Sequence, residues 1–333
     1  MMAKSREFRL ASRPKGWPTL ENFTLGEIEL PAVAEGQVLV RNLFMSVDPY
    51  MRGRMNDMKS YVPPFQIGKA MEAGAVGEVM ESRASGLQRG DVVTSMLGWR
   101  DSFVAEARAL QRVDSKIQPL SVYLGLLGMP GLSAWVGLNL VDVKAGDRVF
   151  ISGAAGAVGS VAGQLAKLRG CRVVGSAGSA DKIHWLVHDL GFDAAFNYKD
   201  GPVYPQLKKA APDGIDVYFD NVGGEHLEAA LSAMNVNGRI IACGGISGYN
   251  EETQPPGPRN MMAFVSKRLT LKGFIVRDWG SSIPEFQKQV VPLWSSGKLK
   301  MRETIVEGLE NAPQAFLDML HGANIGKMIV KLA

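Results

Sequence analysis

Residues 152 to 160, SGAAGAVGS, place Gly153, Gly156 and Gly159 three apart, between an apolar strand-like run and a helix-like run. A turn that holds a dinucleotide pyrophosphate must let backbone approach the phosphates, offer helix N-terminal amides to them, and pack its helix closely on its strand. Gly156 and Gly159 meet the last two needs, with Ala154 where the usual G-x-G-x-x-G has its first glycine. The next strand-like run ends near Ser176, where an NAD site carries an acid for the ribose hydroxyls. Here SAGSADK follows instead, with Lys182 just beyond. A missing acid and a nearby cation favour a 2′-phosphate, hence NADP(H). The competing possibility makes Lys182 a solvated helix residue beside Asp181.

The chemistry is narrowed further by where donors are lacking. Histidine occurs only as His184, His188, His226 and His321, and both cysteines, Cys171 and Cys243, also lie beyond residue 170. Catalytic zinc takes two or three nitrogen or sulfur ligands from its protein, so residues 1 to 120 cannot build such a site, and no metal is expected. His184 and His188 stand four apart on an expected helix, which reads as a partly solvated face. Hydride transfer without a metal must polarise its substrate through hydroxyls, amides or the cofactor ribose. No nucleophile elbow, Walker loop or Ser/His/Asp arrangement occurs, which disfavours hydrolase and phosphotransferase chemistry.

These residues need a scaffold. From about 144 to 276 strands and helices alternate five times: DRVFIS, CRVVGS, AAFNY, IDVYFDNV and GRIIACGG each precede a helical or loop segment, and LTLKGFIV supplies a sixth strand. This pattern implies an α/β doubly wound parallel sheet with helices on both faces. From about 25 to 120, short β-like runs broken by Gly, Pro and Asp suggest a barrel or sandwich. The uncharged run 121 to 141 is expected as a buried helix rather than a membrane span, because Gly, Pro, Ser and Asn interrupt it. The loop ISGYNEETQPPGPRN is long enough to act as a lid or interface segment.

Composition agrees with an ordinary globular chain. Its 333 residues carry a net charge of +4 with no basic block, so nucleic acid is not expected as a partner. Two cysteines inside apolar runs point to a reduced cytoplasmic protein, and the N-terminus lacks the apolar core of a signal peptide.

Several motifs in order carry a resemblance. GMPGLSAWVGL (128–138), GAAGAVGSVAGQLAKLRGCRVVG, GFDAAFNYK (191–199), YFDNVGG (218–224) and GANIGKMIVKL (322–332) resemble the zinc-independent medium-chain dehydrogenase/reductases. MSVDPYMRGRM (45–55) is similar to the prostaglandin reductase, alkenal double-bond reductase and curcumin reductase branch. The resemblance implies a GroES-like β-barrel catalytic domain (1–122 and 300–333), a Rossmann NADP-binding domain (123–299) and a homodimer. It implies NADPH-dependent reduction of the carbon–carbon double bond of a small α,β-unsaturated ketone or aldehyde. Carried over by position, Gly156, Ala157, Val158 and Gly159 would cradle the pyrophosphate, and Lys182 and Tyr198 would bind the adenosine phosphate. Asn221, the segment Cys243, Gly244, Gly245, Ile246, Ser247 to Tyr249, then Phe274, Ile275, Val276 and Asn324, would line the ribose and nicotinamide.

Two tyrosines fall in these motifs. Tyr249 is assigned as proton donor or oxyanion partner and Tyr50 as a substrate-positioning residue. A contact to the ribose competes for Tyr249, and structural packing competes for Tyr50. Arg52 and Arg54 are expected to be structural or domain-bridging rather than catalytic. A quinone or enoyl-thioester reductase on the same scaffold, and a noncatalytic NADP(H) sensor, remain alternatives.

Overall fold

The computed structural model describes residues 4–253 and 255–333, which divide into two compact units. Of the described residues, one comprises those from 4 to 124, 303 to 324 and 328 to 333, and the other those from 125 to 302 with 325 to 327.

The second unit is built on a six-stranded sheet. From edge to edge its strands are Ala194–Asn197, Arg172–Ala177, Arg148–Ile151, Ile215–Asp220, Met234–Ala242 and Thr270–Gly273. Every neighbouring pair is parallel. Numbered by sequence the order is 3-2-1-4-5-6, the doubly wound arrangement, which reverses direction between the first and fourth strands. Val149, Phe150 and Ile151 are all buried although they alternate in facing, so both faces of the sheet are covered. Phe150 stacks on Tyr218 at 5.1 Å and on Phe196 at 5.8 Å, at the centre of one of these cores. The helix Ala157–Leu168 follows the first strand. Its small residues bury eight of its positions, and it stops at Arg169, where Gly170 N–H bonds back to the Lys167 carbonyl.

The first unit carries a seven-stranded sheet. Gln37–Ser46 is its spine, pairing antiparallel with Ala75–Ser82, with Ser102–Glu106 and with the Lys327–Lys331 strand near the C-terminus. Val38 and Val40 alternate inward from that spine onto Val79, Val93 and Phe103. A separate antiparallel pair, Lys4–Leu10 with Phe23–Glu29, is bridged to the sheet through Glu7 and Arg100. Beside it Trp99 packs against Phe8, Phe23 and Phe316, the last from helix Ala312–Leu320.

Some expected elements are shorter. The uncharged run 121–141 is not one helix. Residues Leu120–Leu124 form a 3-10 turn, and the helix proper is Met129–Leu140, with proline in its first turn. Among the described residues no helix is long and apolar enough to cross a membrane. The expected strand LTLKGFIV ends at Gly273, so Phe274 and Ile275 lie beyond it and Val276 opens a 3-10 segment. His184 closes a short helix that widens into a π-helical turn, Trp185–Asp189, and the imidazoles of His184 and His188 lie 4.4 Å apart, both exposed.

Candidate active site

Because all six strands of the second unit are parallel, the segments leaving their C-terminal ends share one edge of the sheet. Gly153, Gly156, Ala157, Val158 and Gly159 follow the first strand, Lys182 the second, Tyr198 the third, Asn221 the fourth, Cys243 to Tyr249 the fifth, and Phe274 to Val276 the sixth. Ligands of open α/β sheets bind at this edge, where the strand order reverses.

The glycine turn has the shape of a phosphate cradle. Gly156 caps the helix Ala157–Leu168 in extended conformation, so the amides of the first helical turn are left for a ligand. A Cβ on Gly159 would lie 2.5 Å from the Gly153 carbonyl oxygen and 2.7 Å from Ala154 Cα, so only glycine lets the helix approach the turn this closely. The turn is braced by Gly326, whose N–H donates to the Ala155 carbonyl at 2.8 Å. Gly326 was not singled out from sequence, although it stands in the GANIGKMIVKL motif.

At the ends of the second and third strands the residues are small and basic. The second strand closes on Ala177, one residue beyond Ser176, whose side chain is fully buried and faces no solvent. Ser179 Oγ then accepts the Lys182 N–H at 3.4 Å and starts the next helix. Asn197, last in the third strand, pairs in register with Ala177, which brings Tyr198 and Lys199 beside Gly178 and Lys182. Burial first, and then the Lys199 charge, lower the Lys182 ammonium below its ordinary value. An arriving phosphate would relieve that repulsion. Tyr198 meets the buried His226 ring edge to face at 5.3 Å. Lys199 and His226 are site neighbours that sequence reasoning missed.

At the fourth and fifth strands, the Asn221 side-chain amide donates to the Ser152 carbonyl at 2.8 Å. The Tyr249 hydroxyl accepts the Gly245 N–H at 3.3 Å, which leaves its own proton to donate. Burial, opposed by that bond and reinforced by Cys243 and Asp220, raises the Tyr249 phenol above its ordinary value. Burial and then Asp220 push the Cys243 thiol up to about 12, so it is not a nucleophile.

Tyr50 and Asn324 belong to the first unit. Tyr50 opens the short helix Tyr50–Arg54, and its hydroxyl is buried with no hydrogen-bond partner among the described residues. Burial and then Asp48 raise its phenol far above the ordinary value, so it keeps its proton. Arg52 donates to Asn56 Oδ1 and the Gly16 carbonyl, each at 2.7 Å. Arg54 binds Glu72 at 2.7 Å and the Pro63 carbonyl at 2.9 Å, and lies over the Phe65 ring. Both guanidinium groups therefore tie down the chain around Tyr50.

Comparison with known proteins follows the same division. A model of the N-terminal domain of oxidoreductases matches residues 6–113, and a zinc-binding dehydrogenase model matches residues 157–296. The NADPH-dependent curcumin reductase of Escherichia coli (strain K12) is 43% identical, covering 99% of this chain and 97% of its own. The NADP(+)-dependent 2-alkenal reductase of Nicotiana tabacum is 42% identical, covering 96% and 94%. The crystal structure of CurA from Vibrio vulnificus in complex with NADPH superimposes with a TM-score of 0.93 at 40% identity, over 98% of this chain and 99% of that one. The chain belongs to the zinc-independent branch of the medium-chain dehydrogenase/reductases. Its two domains are accordingly GroES-like and Rossmann.

One matching model of this family is described by zinc, and the residues here do not fit that metal. The segment 1–120 holds no His or Cys, and among the described residues no group of three His, Cys, Asp or Glu side chains could hold an ion.

Proposed function

We propose that this chain is an NADPH-dependent reductase of the carbon–carbon double bond of α,β-unsaturated ketones and aldehydes. The observation that carries the proposal is the Tyr249 phenol, proton retained, on the same sheet edge as the Gly153–Gly159 cradle and Lys182. The high identity to reductases named for curcumin and for 2-alkenals supports the substrate class.

The residues divide the work by position. Gly156 to Gly159 hold the pyrophosphate through backbone amides, and Lys182 with Tyr198 holds the adenosine phosphate. Asn221, Cys243 to Tyr249, Phe274 to Val276 and Asn324 line the ribose and nicotinamide. When bound, NADPH supplies hydride to the β-carbon of the enone. Negative charge then gathers on the substrate's carbonyl oxygen, where a phenol donor stabilises it. Tyr249 donates there or delivers the proton to the α-carbon. The substrate-positioning role is assigned to Tyr50, whose buried hydroxyl has no hydrogen-bond partner among the described residues.

The proposal extends to a cytoplasmic homodimer. Both cysteines are free thiols, which suits a reducing compartment. The outer strand Thr270–Gly273 is exposed along its whole length and leaves a sheet edge that a second copy would cover. Sedimentation velocity at micromolar protein should give a dimer, and a monomer there would refute that part.

The deciding experiment is oxidation of NADPH and NADH against a panel of enones of increasing length, a 1,4-quinone and a crotonyl thioester. Turnover of enones with NADPH preferred is expected. Tight NADPH binding without turnover on any enone would make the chain a cofactor sensor and refute the reductase.

A further inference from the structure

Asp220 ends the fourth parallel strand and is buried. Its Oδ1 accepts the Gly223 N–H at 2.7 Å, the Val222 N–H at 2.9 Å and the Tyr218 hydroxyl at 2.7 Å, with Ser152 Oγ at 3.2 Å. Its backbone carbonyl accepts the N–H groups of Cys243 and Gly244, both at 3.0 Å. A single residue thereby ties the chain leaving the first strand, through Ser152, to the turn after the fourth and the loop after the fifth.

Asn221 is caught in the middle of this network. Its N–H donates to Ser152 Oγ at 3.0 Å and its side-chain amide to the Ser152 carbonyl at 2.8 Å, so its rotamer is fixed from the first strand. The carboxylate oxygen, meanwhile, holds the next two amides in the chain. A hydrophobic side chain of similar size would fill the space and leave the Val222 and Gly223 amides and the Tyr218 hydroxyl without an acceptor.

We propose that Asp220 is the positioning residue of the nicotinamide end of the cofactor site, setting Asn221 and the Gly244–Tyr249 loop in register through Ser152 and the backbone. This rests on the assignment of Asn221 and the Tyr249 loop to that end. The titratable groups facing the carboxylate are Tyr218, Cys243, Tyr249 and His226. Its negative charge favours the protonated form of each, including the phenol assigned to proton delivery.

The test uses the full chain with two probes, NADPH and 2′,5′-ADP, the latter carrying only the adenosine phosphate end. Asp220→Ala and Asn221→Ala should each weaken NADPH by about ten-fold, the scale of a lost buried hydrogen bond to a charged group, and leave 2′,5′-ADP affinity within about two-fold. Asp220→Asn keeps an acceptor oxygen but removes the charge. It should bind NADPH more tightly than the alanine variant and shift the alkaline fall of kcat to lower pH. If Asp220→Ala does not fold, Asp220→Asn decides on its pH profile. Asp220 variants that only lower the melting temperature, or that weaken both probes equally, overturn the proposal. An Asn221→Ala protein that binds NADPH normally overturns the site assignment and the proposal with it. A weakened Asn221→Ala beside unaffected Asp220 variants overturns the Asp220 role alone.

Discussion

Tyr198 packs directly over Gly178, so closely that a Cβ on that glycine would fall 2.9 Å from the phenol oxygen and 3.1 Å from Cε1 and Cζ. The bare backbone there is what allows a tyrosine from the end of the third strand to lie across the end of the second, beside the helix that carries Lys182. Gly178→Ala should therefore tilt the ring and weaken NADPH several-fold, while NADH affinity and the melting temperature stay near those of the parent, since the tyrosine is exposed. Titration of protein fluorescence with both nucleotides checks this. Equal weakening of NADPH and NADH would place Tyr198 away from the phosphate.

Lys182 tests the same end of the site by charge. Burial and then the repulsion of Lys199 lower its ammonium below the ordinary value. Lys182→Ala should raise the NADPH dissociation constant by about ten-fold or more, the worth of a charge-assisted hydrogen bond to phosphate, with little change for NADH. The preference between cofactors would narrow accordingly. A retained NADPH preference in steady-state assays would assign the lysine to a solvated helix face.

Much of this site is legible in the sequence because its signals are local. Glycines three apart between a strand and a helix, and a strand end with small residues where an acid would stand, can be read without knowing where other segments lie. The parallel sheet with helices on both faces follows from the alternation of elements joined by right-handed crossovers, while the strand order itself does not. What could not be read depends on partners distant in the chain. Lys199 reaches Lys182 only through the pairing of Asn197 with Ala177, and Gly326 reaches the glycine turn from some 170 residues away. In sequence Asp220 is one more residue of YFDNVGG, whereas in the fold its oxygen gathers Tyr218 from its own strand and Ser152 from the end of the first. The run 121–141 was legible as buried but not in its extent: its hydrophobicity reported burial, while the cap Gly128 and Pro130 set where helix begins.

Tyr249 carries the chemical prediction. Its hydroxyl accepts from Gly245, its proton is available, and burial holds that proton to higher pH than an ordinary phenol would. Tyr249→Phe should lower kcat on an enone by at least about 10-fold, the usual contribution of a positioned general acid. In the parent enzyme kcat should stay level through neutral pH and fall only above the ordinary phenol range near 10. A phenylalanine variant with unchanged kcat would remove this tyrosine from proton delivery and leave Tyr50 or the ribose as the source.

His226 makes a prediction about stability. It is buried on the helix Gly224–Ala233 with Nε2 lacking a hydrogen-bond partner among the described residues, and its ring supports Tyr198. Burial lowers its basicity below the ordinary value of 6.5, against the opposing pull of Asp220 and Glu225. Between the folded and unfolded values the unfolded chain binds a proton that the fold refuses. The stability linked to this group is thus complete above about pH 6.5 and declines as pH falls through the folded value. His226→Phe keeps an aromatic ring against Tyr198 and removes the titration. The melting temperature of the variant relative to the parent should therefore be higher at about pH 5 than at about pH 8. A difference independent of pH would mean that the imidazole titrates alike in the folded and unfolded chain, and the burial argument would fail.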